Sequence, residues 1–74
     1  MNLVLVTRKD CHLCDDALTL LRGLGFEPEL ADVDVDPHLF ATYDWRVPVL
    51  LLDDRVIAEG RMTGAQLKKA LKPA

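Results

Sequence analysis

Seventy-four residues, half of them hydrophobic and 28% charged, make one globular domain over residues 1–74 rather than two domains or a disordered chain. Nine basic against twelve acidic side chains leave a net charge of −3, which gives no broad electrostatic footing for nucleic acid. The longest apolar runs, such as Val49 to Leu52, fall far short of the ~20 residues a membrane span needs, and Met1 to Thr7 has neither the basic start nor the apolar length of a signal peptide.

Leu3 to Val6 is a short continuous apolar run, the pattern of a strand buried on both faces. From Cys11 to about Arg22 the period turns helical, with Cys14, Ala17, Leu18, Leu21 and Leu24 on one stripe. Gly23 and Gly25 stop this helix and Pro28 keeps it from resuming. Strict alternation follows, Leu30, Asp32, Asp34 and Asp36 against Ala31, Val33 and Val35, which predicts a half-solvated strand near a sheet edge. Asp36-Pro37 opens a short helix carrying Leu39, Phe40 and Tyr43 inward. Val47-Pro48 leads into the apolar run Val49 to Leu52, and Asp53-Asp54 turns the chain into a hairpin partner over Arg55 to Glu59. Thr63-Gly64-Ala65-Gln66 is a capping box, opening a helix with Leu67, Ala70 and Leu71 inward and Lys68, Lys69 and Lys72 toward its favourable C-terminal end. The order is βαβαββα. It calls for an α/β fold with a four-stranded mixed sheet packed by helices, its first half joined by a right-handed crossover.

The two cysteines sit three apart, as Cys11-His12-Leu13-Cys14, at the junction of the first strand and first helix. A bridge between them closes so short a loop that it adds only ~2 kcal/mol by the chain-entropy relation, so stability is a weak reason for the pair. Redox chemistry is a stronger one. Unpaired N–H groups and the positive end of the helix dipole favour an anion at Cys11, lowering its pKa. Arg8, Lys9 and protonated His12 add to that effect, while Asp10, Asp15 and Asp16 oppose it. Cys14 lies on the same face one turn further in, more buried. Cys11 is then the nucleophile that forms a mixed disulfide with substrate, and Cys14 resolves it.

Other chemistries fit poorly. His12 and His38 lack the spacing of a zinc motif, and Asp15 stands where a c-type haem site needs histidine. The Asp32-x-Asp34-x-Asp36 row has Pro37 where a calcium loop has glycine, and reads as a solvated strand face. A cluster shared between two chains remains as an alternative for the thiolates.

The Cys11-His12-Leu13-Cys14 motif, Asp32-Val33-Asp34-Val35-Asp36-Pro37 and Tyr43-Asp44-Trp45-Arg46-Val47-Pro48-Val49-Leu50 together resemble the small bacterial glutaredoxin-like proteins of the thioredoxin superfamily, over nearly the whole chain. The resemblance implies a thioredoxin-like fold in which Pro48 is cis and lies beside the cysteines. It also implies that the backbone of Val47 pairs with the substrate's cysteine and that Arg8 is the basic residue before the nucleophile. Two departures stand out. Glutaredoxins carry Pro-Tyr between the cysteines where this chain has His12-Leu13. Where they carry two glycines before the last helix, this chain has Ala58-Glu59, with Gly60 one residue later; Glu59 would set negative charge beside a glutathione carboxylate.

The expectation is a cytoplasmic, monomeric enzyme, a dithiol–disulfide oxidoreductase. Its catalytic residues are Cys11 and Cys14, and Arg8 and His12 stabilise the thiolate. Val47, Pro48, Arg46, Trp45 and Gly60 bind substrate, with the Trp45 indole either stacked by an arginine or peptide or laid over the short helix. No metal and no bound cofactor are expected, with glutathione as a co-substrate. The partners are a disulfide-containing protein or glutathione and an electron-donating reductant, with no membrane or nucleic acid. Two alternatives are a glutathione-assisted iron–sulfur carrier bridging two chains and a non-catalytic binding module.

Overall fold

The computed structural model describes residues 2–71. Seven elements follow in the order β1 (Leu3–Thr7), α1 (His12–Gly23), β2 (Glu29–Asp32), α2 (Pro37–Tyr43), β3 (Val49–Leu52), β4 (Arg55–Glu59) and α3 (Gly64–Ala70). The sheet runs β2-β1-β3-β4, with β1 and β2 parallel and the other neighbours antiparallel. This is the βαβαββα arrangement expected from the sequence, with both apolar runs at the centre and the polar strands at the edges.

Side-chain alternation in the central strands divides the core in two. Leu3, Leu5 and Leu50 point to one face, where Ala17 and Leu21 of α1 and Leu67 of α3 cover them together with Met62 and Leu71. Val6, Val49 and Leu51 point to the other, where Val33 and the partly buried Leu39 and Tyr43 of α2 pack. Each fully buried leucine or valine contributes about 1.5–3 kcal/mol, so two thin layers sustain a chain of this size.

The helix ends follow their local chemistry. The α1 terminus is a Schellman motif: Phe26 N–H donates to Leu21 O (2.9 Å) and Gly25 N–H to Arg22 O (3.0 Å). Gly25 takes φ +90°, a conformation only glycine adopts freely. Asp36 caps α2 by accepting the N–H groups of His38 and Leu39, and Thr63 and Gln66 exchange both bonds of the capping box on α3. Asp53 and Asp54 at φ 50° and 69° form the two-residue turn joining β3 to β4.

Two sequence expectations change. The alternation through Asp36 does not extend the strand, because β2 stops at Asp32, whose side chain captures the Asp34 N–H (2.8 Å) and turns the chain. Phe40 does not face inward but is 46% exposed on the outer side of α2. Lys72, expected to continue the basic end of α3, lies outside the described residues. Among the described residues no helix is long and apolar enough to cross a membrane.

Candidate active site

Cys11 is the N-cap of α1, in an extended conformation that starts the helix, and its Sγ accepts the Cys14 N–H at 3.1 Å. This bond occupies one of the first-turn donors that a helix leaves open, and it aims the helix's positive end at sulfur. Asp10, at φ 59°, turns the chain from β1 into this position. Cys11 is half-buried whereas Cys14, on the inward stripe with Ala17 and Leu21, is only 2% exposed. The two sulfurs are joined as a disulfide, with the Cα atoms 5.2 Å apart. Cys11 is therefore partly open to solvent, with Cys14 buried behind it.

The sheet brings the second motif to the same end. Val6 of β1 pairs with Val49 of β3, so Val47-Pro48, which lead into β3, lie at the same end of the sheet as the turn from β1 to Cys11. The Val47–Pro48 bond is cis. Pro48 is buried, and its carbonyl accepts the N–H of Gly60 at 2.8 Å, which ties the end of β4 to this turn. Gly60 sits at φ 67°, in the left-handed region that favours glycine.

Both arginines expected at the site have carboxylate partners. Arg8 grips Asp34 through two bonds, Nε to Oδ2 at 2.9 Å and Nη2 to Oδ1 at 2.8 Å. It also donates to the Asp44 carbonyl at 3.1 Å and to the Asp44 carboxylate. These bonds push the arginine's pKa upward, the Asp34 pairing most, and hold the Asp34 carboxyl below the usual carboxylate range. Asp34 is thus a long-range partner rather than one of a row of solvated strand carboxylates. Arg46 donates to Glu59 through Nε (2.7 Å) and Nη2 (3.2 Å) and lies 5.1 Å over the Tyr43 ring. The hydrogen bond lowers the Glu59 pKa and raises that of Arg46. Glu59 therefore does not stand as an isolated negative charge.

Trp45 neither stacks with Arg46, which chooses Tyr43, nor covers α2; its side chain is 94% exposed and stands open to a peptide. His12 is exposed at the first position of α1 and Leu13 is partly buried behind it. The structure thus gathers the cysteines, Val47, Pro48, Arg46, Trp45 and Gly60 around one end of the sheet. It also adds Asp34 and Asp44, which sequence spacing could not connect to Arg8 across 26 and 36 positions. Among the described residues no three or more His, Cys, Asp or Glu side chains group as a metal site.

A four-stranded mixed sheet flanked by three helices, with Cys-x-x-Cys at the first helix start and a cis-proline before the third strand, places the protein in the thioredoxin-like class. A structure of the same build is the X-ray structure of Northeast Structural Genomics target protein XcR50 from X. campestris. It aligns with a TM-score of 0.84 and 32% identity over 97% of each chain. The sequence model of the Glutaredoxin-like domain (DUF836) matches residues 2–72, and the chain belongs to that family. No curated protein matches.

Proposed function

We propose that the protein is a dithiol–disulfide oxidoreductase, an enzyme working through Cys11 and Cys14. The observation that carries this reading is the pairing of a half-buried Cys11 Sγ, held at the start of α1 by the Cys14 N–H, with a buried Cys14 one turn behind it. In the reduced form the Cys11 thiolate attacks a substrate disulfide, forming a mixed disulfide and releasing one substrate thiolate. The Cys14 thiolate then attacks Cys11 Sγ, forming the Cys11–Cys14 disulfide and releasing the second substrate thiolate. Two electrons pass to the substrate, and an external thiol reductant returns the enzyme to its starting state. Glutathione disulfide serves as one substrate, and no bound cofactor is needed.

His12, exposed beside the thiolate, favours its charge. Arg8 contributes only what remains after Asp34 and Asp44 offset it. The Val47 backbone guides the substrate's cysteine, Pro48 and Gly60 shape the turn beside it, and Trp45 and Arg46 form the rim. Chemistry of this kind suits a monomer in the reducing cytoplasm.

The test uses two variants. Cys11→Ser abolishes exchange with a protein disulfide. Cys14→Ser accumulates a mixed disulfide, visible by intact mass under acid quench. Sustained multi-turnover reduction of a protein disulfide by Cys14→Ser would refute the proposal.

A further inference from the structure

A cavity of about 330 Å³ lies between α1 and the turn leading into α3, lined by Leu13, Asp16, Thr19, Leu20, Arg61 and Met62. It begins at the redox pair, because Leu13 is the residue between His12 and Cys14. Leu13, Asp16 and Leu20 fall on one face of the helix at i, i+3 and i+7. Seven residues of helix rise about 10 Å, the length of roughly three residues of extended chain. The opposite wall, Arg61 and Met62, directly follows Gly60, whose N–H is tied to Pro48. The cavity is thus walled by residues that adjoin, in the chain, both the redox pair and the residue bonded to Pro48.

Its chemistry is mixed in a defined way. Leu13, Leu20 and the buried Met62 give it an apolar floor, whereas Thr19, Asp16 and Arg61 bring polar groups to the rim. Asp16 and Arg61 make no ion pair among the described residues. The rim itself carries one carboxylate, Asp16, and one cation, Arg61, so it favours neither a net anion nor a net cation. Glutathione carries two carboxylates and one ammonium and has no apolar side chain. A neutral protein segment with a leucine-sized side chain satisfies both floor and rim.

We propose that this cavity is a specificity pocket for a protein substrate, seating an apolar side chain within about three residues of the target cysteine. The proposal rests on the oxidoreductase reading and names its preferred substrate class. Selectivity then resides in Leu13, Leu20 and Met62 rather than in the Arg8 and Arg46 pairs.

Two measurements test it. The first compares kcat/KM for two neutral disulfide-linked peptides that differ only in leucine or serine beside the cysteine, with glutathione disulfide as a third substrate. Seating the leucine in a half-open pocket predicts about a tenfold preference over serine, and Thr19→Trp, which places an indole over the cavity, abolishes that preference. Equal rates for the two peptides, or glutathione disulfide reacting as fast as the leucine peptide, overturn the proposal. The second titrates the oxidised protein with the leucine peptide carrying serine in place of cysteine, read by amide chemical shifts. Shifts at Leu13, Leu20 and Met62 are expected. Their absence overturns the pocket whether or not exchange occurs. Shifts in a protein that exchanges no disulfide overturn the oxidoreductase reading, and with it the substrate role, while leaving a peptide site.

Discussion

Reducing the Cys11–Cys14 pair should change the stability of the domain by no more than about 1 kcal/mol, and the reason lies in two opposing terms of similar size. Closing the short loop between cysteines three apart restricts the unfolded chain and favours the oxidised protein by about 2 kcal/mol. Reduction leaves Cys11 as the N-cap of α1, with its sulfur accepting the Cys14 N–H. An anion at a helix start gains about 0.3–1 kcal/mol from the dipole. A hydrogen bond to a charged acceptor exceeds a neutral one by about 1 kcal/mol. Where the unfolded thiol is ionised, above about pH 8.5, these together offset most of the loop term; the offset fades as pH falls below that. By linkage, the stability difference equals the change in disulfide free energy between folded and unfolded chain. The pair's potential then lies within about 20 mV of an unstructured Cys-x-x-Cys peptide. Urea unfolding followed by far-UV circular dichroism, with and without a phosphine reductant at about pH 9, measures the difference. Trp45 fluorescence is the wrong probe, because its indole is already 94% exposed in the folded state. Cys11→Ser keeps a capping hydroxyl but not the charge and should fall about 1–2 kcal/mol below the reduced protein, and Cys11→Ala loses about 1 kcal/mol more. A gap above about 3 kcal/mol in favour of the disulfide would mark it as a structural clamp. A gap that large in favour of the dithiol would mean that Arg8 reaches the thiolate despite Asp34 and Asp44. Either result refutes the reasoning.

Three further outcomes follow from the same structure. Leu67→Ala removes a fully buried side chain joining α3 to the sheet and should cost about 3 kcal/mol. That is a large share of the roughly 4–11 kcal/mol a domain of this length possesses; urea unfolding checks it, with the exposed Val35→Ala changing stability by less than about 0.5 kcal/mol. Asp34 and Glu59 have folded pKa values below their unfolded ones, each from an arginine hydrogen bond. Their contribution is fully present above the unfolded carboxylate values near about 4 and is lost as pH falls through the lower folded ones. Thermal melts from pH 7 downward should therefore hold level to about pH 5 and decline below about 4, less steeply in Asp34→Asn and Glu59→Gln; unaltered slopes in the variants would contradict the assignment. Trp45→Ala should leave the melting temperature in place yet raise KM for a protein disulfide by about tenfold with kcat held, as expected of an exposed aromatic anchor.

The parts of this protein that could be read from sequence are those governed by neighbours in the chain. The redox pair at a helix start, the Thr63 box, the Asp36-Pro37 opening and the Gly25 stop all act within a few residues, so spacing alone reveals them. The apolar runs of β1 and β3 likewise declared central strands. Alternation failed at Val33 to Asp36 because a local side-chain bond, Asp34 N–H to Asp32, overrode the extended pattern. The Arg8 grip on Asp34 and Asp44, the Arg46 choice of Tyr43 over Trp45, and the walls of the cavity all join distant segments. Three acidic residues in alternation look the same in sequence whether they face water or one of them meets an arginine. Phe40 shows the converse limit: a short helix offers too few turns for its period to say which of two apolar residues faces the core.

These long-range pairings bear directly on substrate choice. Arg8 with Asp34 and Asp44 forms a group of net charge −1, and Arg46 with Glu59 a neutral one. Neither arginine presents an unbalanced cation to an approaching carboxylate. For glutathione to gain from them, it would have to displace a carboxylate already held in a two-bond grip, exchanging one charge-assisted pair for another with little net return. Rearrangement at the rim is therefore unrewarded, and discrimination falls to features with no internal competitor. The Val47 backbone, the exposed Trp45 indole and the apolar floor at Leu13 and Leu20 meet that condition. On the proposed oxidoreductase reading, all three suit an extended protein segment better than a small anionic tripeptide, in keeping with His12-Leu13 and Ala58-Glu59 standing where glutaredoxins carry other residues.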